Sequence, residues 1–138
     1  MIFFTDENIP INASHILDIF DRENQIRACL DYFEAGTSDI EWIQNVASWN
    51  EHDSIIALCG DSRILKNEVE KQVLRDCGLM FVLLAPGWLH LPWNTYAWKI
   101  VRVWPEIVKN IKDARYPMLF EVPVNNLKIR VLGRLSTL

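Results

Sequence analysis

Residues 54–59 read SIIALC, a β-branched apolar run closed by Gly60 and Asp61. A strand with one face in water alternates apolar and polar side chains; this run does not, so both of its faces must be covered. Residues 79–84, LMFVLL, repeat the pattern after a segment with helical spacing. Two such strands joined through a helix point to a mainly parallel sheet with helices packed on both sides.

The rest of the chain follows the same alternation. Residues 1–5 read as a short buried strand, the Asp6-Glu7-Asn8 turn follows, and Ile11, Ile16, Leu17, Ile19 and Phe20 suit a helix capped by Asn12 or Ser14. Residues 25–30 can form a second strand. Ser38 and Glu41 form a capping box ahead of a helix with Trp42, Ile43, Val46 and Trp49 on its apolar side. Asn67 with Glu70 makes a similar cap for Val69, Val73, Leu74 and Cys77, and Gly78 supplies the stop.

A last helical stripe runs through Trp93, Ala97, Ile100, Val101, Trp104, Val108 and Ile111, which Pro105 is expected to kink or divide. Residues 117–124 and 127–135 alternate around Asn125-Asn126 as a terminal β-hairpin would. The expected fold is an α/β three-layer sandwich with a mainly parallel central sheet and a C-terminal β-hairpin, one domain over residues 1–138.

Composition narrows the functional classes. Half of the 138 residues are apolar and 23% are charged, with no Pro, Gly or Ser cluster to mark a linker or a disordered tract. The longest nearly apolar stretch, residues 79–91, holds Pro86, Gly87 and His90 and falls short of the roughly 20 residues of a membrane span. MIFF has no basic n-region, so no signal or transit peptide, no membrane partner and a cytoplasmic location are expected. Cys29, Cys59 and Cys77 sit in apolar segments without CxxC spacing, as reduced core thiols do.

Charge is divided along the chain. Residues 1–97 carry six Lys/Arg against fifteen Asp/Glu, a net of −9; residues 98–138 carry eight against three, a net of +5. An acidic cleft beside a basic flank would suit a metal-dependent enzyme acting on a polyanion. Solvated faces alone produce the same pattern.

In open α/β sheets, ligands sit beyond the carboxyl ends of the strands. Asp6 follows the first strand, Asp61 follows SIIALC, and Asp39 opens the helix between them. If the two strands are neighbours, their spacing of about 4.8 Å would bring Asp6 and Asp61 to about 5–10 Å. Carboxylates held so close repel one another, and a divalent cation is a common reason to tolerate it. Taken singly, each acid also has a structural explanation: Asp39 from the helix dipole, Glu41 and Glu70 from capping, Asp61 from the turn after Gly60.

The stretches FFTDENIP, SDIEWI, CGDSRILKNEVEKQVL and GLMFVLL resemble, in that order, the PIN-like domains, in particular the compact branch related to VapC-type toxins of toxin–antitoxin pairs. The resemblance covers roughly residues 1–90. It implies a Mg²⁺- or Mn²⁺-dependent ribonuclease that hydrolyses single-stranded RNA, with Asp6, Asp39 and Asp61 as catalytic metal ligands and Asn8, Arg63, Asn67 and Glu70 around them. A fourth acid of the family pattern has no clear counterpart, since Glu70 is equally explained by its capping box. An antitoxin protein and a homodimer are the further partners implied. Lys99, Arg102, Lys109 and Arg115 are candidate phosphate contacts, or simply the wet face of a helix.

Two other readings remain. A PIN-like fold without catalysis would serve as a binding module for RNA or protein, and a receiver-like signalling domain also pairs acids after its first strand with an aspartate after its third. The receiver reading expects a lysine before a late proline, where this chain has Ala85-Pro86 and Tyr116-Pro117. Of the six tryptophans, Trp42, Trp49, Trp93 and Trp104 fall on core stripes, whereas Trp88 and Trp98 are candidates for an exposed interface. His15, His52 and His90 share no metal or dyad spacing.

Overall fold

A computed structural model describes residues 1–49 and 51–138. Among the described residues, six strands form one sheet: β1 Ile2–Thr5, β2 Gln25–Ala28, β3 Ile55–Cys59, β4 Met80–Leu84, β5 Met118–Val122 and β6 Arg130–Arg134. They lie in the order β2-β1-β3-β4-β5-β6, with every pair parallel except β5 and β6. The α-helices among the described residues are α1 Ile11–Phe20, α2 Asp39–Ala47, α3 Glu68–Cys77 and α4 Trp93–Asp113. This is the expected α/β sandwich.

Alternate strand residues feed two cores. Phe3, Ile56, Leu58, Val82 and Leu84 pack with α1 and α4, whereas Phe4, Ala57, Cys59, Phe81 and Leu83 pack with α2 and α3. All are buried, and each large side chain so removed from water contributes about 1.5–3 kcal/mol. Within SIIALC, residues 55–59 are apolar throughout because helices cover both faces of β3.

The steps from β3 to β4 and from β4 to β5 go the same way across the sheet, yet α3 and α4 lie on opposite faces. The β4-α4-β5 crossover therefore has the opposite hand to β3-α3-β4, a rare arrangement in parallel sheets. Its consequence is coverage. Without α4, the α1 face of the sheet would have one ten-residue helix over it.

Caps account for several boundaries. Ser38 Oγ accepts from the Glu41 amide, although the Glu41 carboxylate makes no return bond among the described residues. Asn67 Oδ1 accepts from the Val69 and Glu70 amides, and Gly78, at φ +72°, ends α3 in the left-handed conformation.

Other expectations need correction. α1 starts after Pro10 rather than at an Asn12 or Ser14 cap, and the Ser14 hydroxyl instead meets the Thr5 hydroxyl at 2.6 Å in the core. Ala13, Ser14 and Leu17 form its buried face, leaving Ile19 79% exposed. Pro105 does not divide α4, which runs unbroken from Trp93 to Asp113. The β5–β6 pair is antiparallel as expected, but its connection is residues 123–129 rather than Asn125-Asn126 alone.

Two tryptophans change places. Trp88 is buried and donates from Nε1 to the Val122 carbonyl at 3.1 Å, whereas Trp93 is 43% exposed. Trp98 is exposed as expected. The three cysteines are free, and among the described residues no helix is long and apolar enough to cross a membrane.

Candidate functional site

The strand order 2-1-3-4-5 reverses direction between β1 and β3, and the crevice at such a switch point is where doubly wound sheets place ligands. Asp6 leaves β1 at that point. Its amide still pairs with the Leu58 carbonyl of β3 at 3.0 Å, so Asp6 is held at the seam between the two strands.

Asp6 is 96% shielded from solvent. Its Oδ1 accepts from the Gly60 amide at 2.9 Å, and Asn8 Nδ2 donates to Oδ2 at 3.5 Å. Burial, which disfavours the charged form, is the largest influence on its carboxyl; the Asp39 charge works the same way, and the bonds from Gly60 and Asn8 oppose both. The result is a carboxyl pushed up to about 7.

The Gly60 contact needs glycine. A Cβ there would lie 2.8 Å from both the carbonyl carbon and the carbonyl oxygen of Asn8, so only a bare backbone lets the end of β3 approach the turn after β1.

Asp39 is the first residue of α2, where the positive end of the helix favours a carboxylate. Its Oδ1 accepts from Nε1 of the buried Trp42 at 2.9 Å. The loop leading to it is tied back to the β1 end, because Glu7 Oε2 accepts from the Gly36 amide at 3.1 Å. Glu7 thus has a positioning role that its sequence context did not reveal.

Asp61 caps the short 3-10 turn Ser62–Lys66 and is engaged by Arg63. The Arg63 amide and Nε donate to its Oδ1 at 3.0 Å each, and Nε and Nη2 reach Oδ2. These bonds hold the Asp61 carboxyl below its usual range. Arg63 itself is largely exposed, so the clasp is an ion pair at the surface with modest net worth.

Glu70, in the first turn of α3, completes the set. Burial and then the charges of Asp39 and Asp61 raise its carboxyl, so it shares an electrostatic neighbourhood with both. Asn67 stands apart from this chemistry, since its side-chain oxygen is used on the helix cap. The four acids come from β1, α2, the end of β3 and α3. Two helix N-termini, those of α2 and α3, supply Asp39 and Glu70.

Tyr96 is not part of the expected α4 stripe, although it keeps helical spacing with Trp93 and Ile100 and is buried with Ile100. Its hydroxyl is buried without a hydrogen-bond partner among the described residues, and burial, with the Asp6 charge second, pushes the phenol well above its usual range. Nearby thiols offer no nucleophile. Burial raises Cys29 to about 11 and Cys59 well above its ordinary value, with the Asp6 charge adding to both.

The late bases separate. Lys99 and Arg102 lie in the first half of α4, toward the carboxyl edge of the sheet. Lys109 falls in the last turns of that helix and Arg115 beyond its end, beside Met1, Ser54 and Gly78 at the opposite edge. Lys109 and Arg115 are thereby removed as contacts for anything bound at the acids.

A family model described as a PIN like domain matches residues 1–86, from the first strand to the turn after β4. The chain belongs to the PIN-like domain family. No match was found among curated proteins or solved structures. Asp6, Asp39, Asp61 and Glu70 all fall inside the matched part of this PIN-like domain, whereas α4, β5 and β6 follow it.

PIN-like domains are nuclease-like domains that often bind divalent metals, and the donors here fit such an ion in kind. All four are carboxylates, the hard oxygen ligands that Mg²⁺ and Mn²⁺ take, and the Arg63 guanidinium already places a cation on Asp61. Their arrangement is open: among the described residues, no three His, Cys, Asp or Glu side chains are grouped as a metal would hold them. Asp61 would have to exchange Arg63 for the ion.

Proposed function

We propose that this PIN-like domain is a Mg²⁺- or Mn²⁺-dependent endoribonuclease acting on single-stranded RNA, as the toxin of a toxin–antitoxin pair would be. The observation that carries the reading is the gathering of acids at the switch point, where burial first and then the Asp39 charge raise Asp6, and burial first and then the Asp39 and Asp61 charges raise Glu70. Such repulsion is relieved by a cation. An antitoxin protein and a second copy of the chain are the partners this reading carries with it.

Asp6, Asp39, Asp61 and Glu70 would hold the ion. A bound divalent cation supplies there a Lewis acid for the phosphate oxygens and a more acidic water. Asp6 is fixed from two sides by Gly60 and Asn8, and Trp42 fixes Asp39, so neither carboxylate needs to search for its position. In the metal-free protein Asp6 keeps its proton up to about pH 7 and would give it up to the ion, and Arg63, once off Asp61, is a mobile cation at the rim.

The Arg63 clasp also favours a second reading. Asp61 neutralised by a guanidinium suits a PIN-like module that binds RNA or protein without cutting. Incubation of labelled single-stranded RNA with Mn²⁺ separates the two. The wild type is expected to cut, with Asp6→Asn/Asp61→Asn slowed by about a hundredfold or more, in the range of a lost metal or oxyanion contact. Intact RNA with wild type, or equal cutting by the double variant, would leave the binding module.

A further inference from the structure

The end of β5 carries an open groove of about 350 Å³ between the first half of α4 and the β5–β6 connection, beyond the matched part of the chain. Trp98 lies on its wall, 51% exposed, with Lys99, Arg102, Lys128, Asn125 and Asn126. We infer that this groove binds single-stranded RNA, stacking a base on Trp98 and holding phosphates with Arg102 and Lys128, and so leads the strand toward the acids.

Three observations support that occupant. The first is chemistry: an exposed indole interleaved with cations and amides suits a strand whose bases are unpaired, because every base offers a face to stack and every linkage an anion. The second is unspent charge. Among the described residues, Arg102 and Lys128 enter no ion pair, while the nearby Glu121 is already paired with Arg130. Lys99 donates to the Val124 carbonyl at 2.9 Å and keeps its ammonium beside the Trp98 ring, 5.6 Å from the centroid, so it fixes the wall of the groove.

The third is place. β5 runs parallel to β4, β3 and β1, so its end lies on the same sheet edge as Asp6 and Asp61. Two strand spacings separate β3 from β5, about 10 Å at about 4.8 Å each. A strand of RNA seated on Trp98 would pass over that edge from the α4 face to the face of α2 and α3 to meet the acids. The inference rests on the nuclease reading for why a strand should run toward the acids, but its binding step stands without cleavage.

The test is fluorescence anisotropy of a labelled oligouridylate with the whole chain in EDTA at low salt. Trp98→Ala/Arg102→Gln/Lys128→Gln, all exposed positions, should weaken binding by roughly tenfold or more, with a shallower salt dependence. Trp98→Phe alone should restore most of the stacking loss of Trp98→Ala. Asp6→Asn/Asp61→Asn should bind at least as tightly as wild type. Unchanged affinity in the triple variant would overturn the inference, as would polyglutamate binding as tightly as the oligouridylate and with the same loss in the triple variant, which would assign the groove to an acidic protein. Groove-dependent binding without Mn²⁺-dependent cutting would instead defeat only the nuclease reading.

Discussion

Asp6→Asn, melted in EDTA, is expected to outlast the wild type near pH 8 and to lose that advantage as the pH falls toward 4. The Asp6 carboxyl titrates at about 7 in the folded protein against an ordinary value of 3.8. Well below pH 4 it is protonated in both states and contributes no difference. As the pH climbs toward 7 the unfolded chain ionises first, so stability is lost across that window and the loss is constant above it. About three pKa units correspond to a ceiling of about 4 kcal/mol.

Asparagine keeps an oxygen for the Gly60 amide but brings an NH₂ toward Asn8, which offsets part of the gain. A net gain of about 2 kcal/mol would raise the melting temperature by roughly 5–10 °C. Saturating Mn²⁺ should reverse the order, since the cation stabilises only the chain that retains the carboxylate. A pH-independent gap between the two proteins would mean that the cost does not come from ionising Asp6.

Gly60→Ala is expected to be the most damaging small substitution in the chain. The added methyl would press 2.8 Å from the Asn8 carbonyl, which is backbone and can only move by shifting the β1–α1 turn. That movement also strains the Gly60 amide bond on the Asp6 carboxylate. Together these effects would cost about 2–4 kcal/mol, a fall of roughly 10 °C in thermal unfolding, and would weaken the response to metal. Gly87→Ala provides the contrast. Its Cβ would meet only the Val124 side chain, at 2.7 Å, and a side chain at a groove rim can turn aside, so about 1 kcal/mol is expected. Equal melting of Gly60→Ala and wild type would show that the close approach is not required.

What could be read in the sequence was local. SIIALC declares a strand covered on both faces, Ser38 and Asn67 declare caps, and Gly78 declares a stop, because each rests on a few adjacent side chains. Asp6, Asp39 and Asp61 are singled out the same way, from their places at strand and helix ends. Glu70 could be read equally as a capping residue, and only the packing of α3 against α2 puts it near Asp39.

The features missed depend on contacts far apart in the chain. Trp104 Nε1 donates to Asp21 across 83 residues and the Gly60 amide donates to Asp6 across 54, distances at which spacing carries no information. Trp88, isolated behind Pro86-Gly87, has no helical period to betray that it is core. Trp93 matched a period but stands at the first turn of α4, where little covers it. The face chosen by α4 is likewise non-local, since its apolar stripe suits either side of the sheet, and the uncovered area beside α1 decides it.

The most direct test of the central claim, that these acids form one cation site, is calorimetric titration of Mn²⁺ into the whole chain. The wild type is predicted to bind with an affinity that rises from about pH 6 to about pH 8, as the Asp6 proton is given up, and Arg63→Gln to bind more tightly because Asp61 is released. Asp6→Asn/Asp61→Asn is predicted to show no saturable heat. An isotherm in that double variant equal to the wild type would contradict the account.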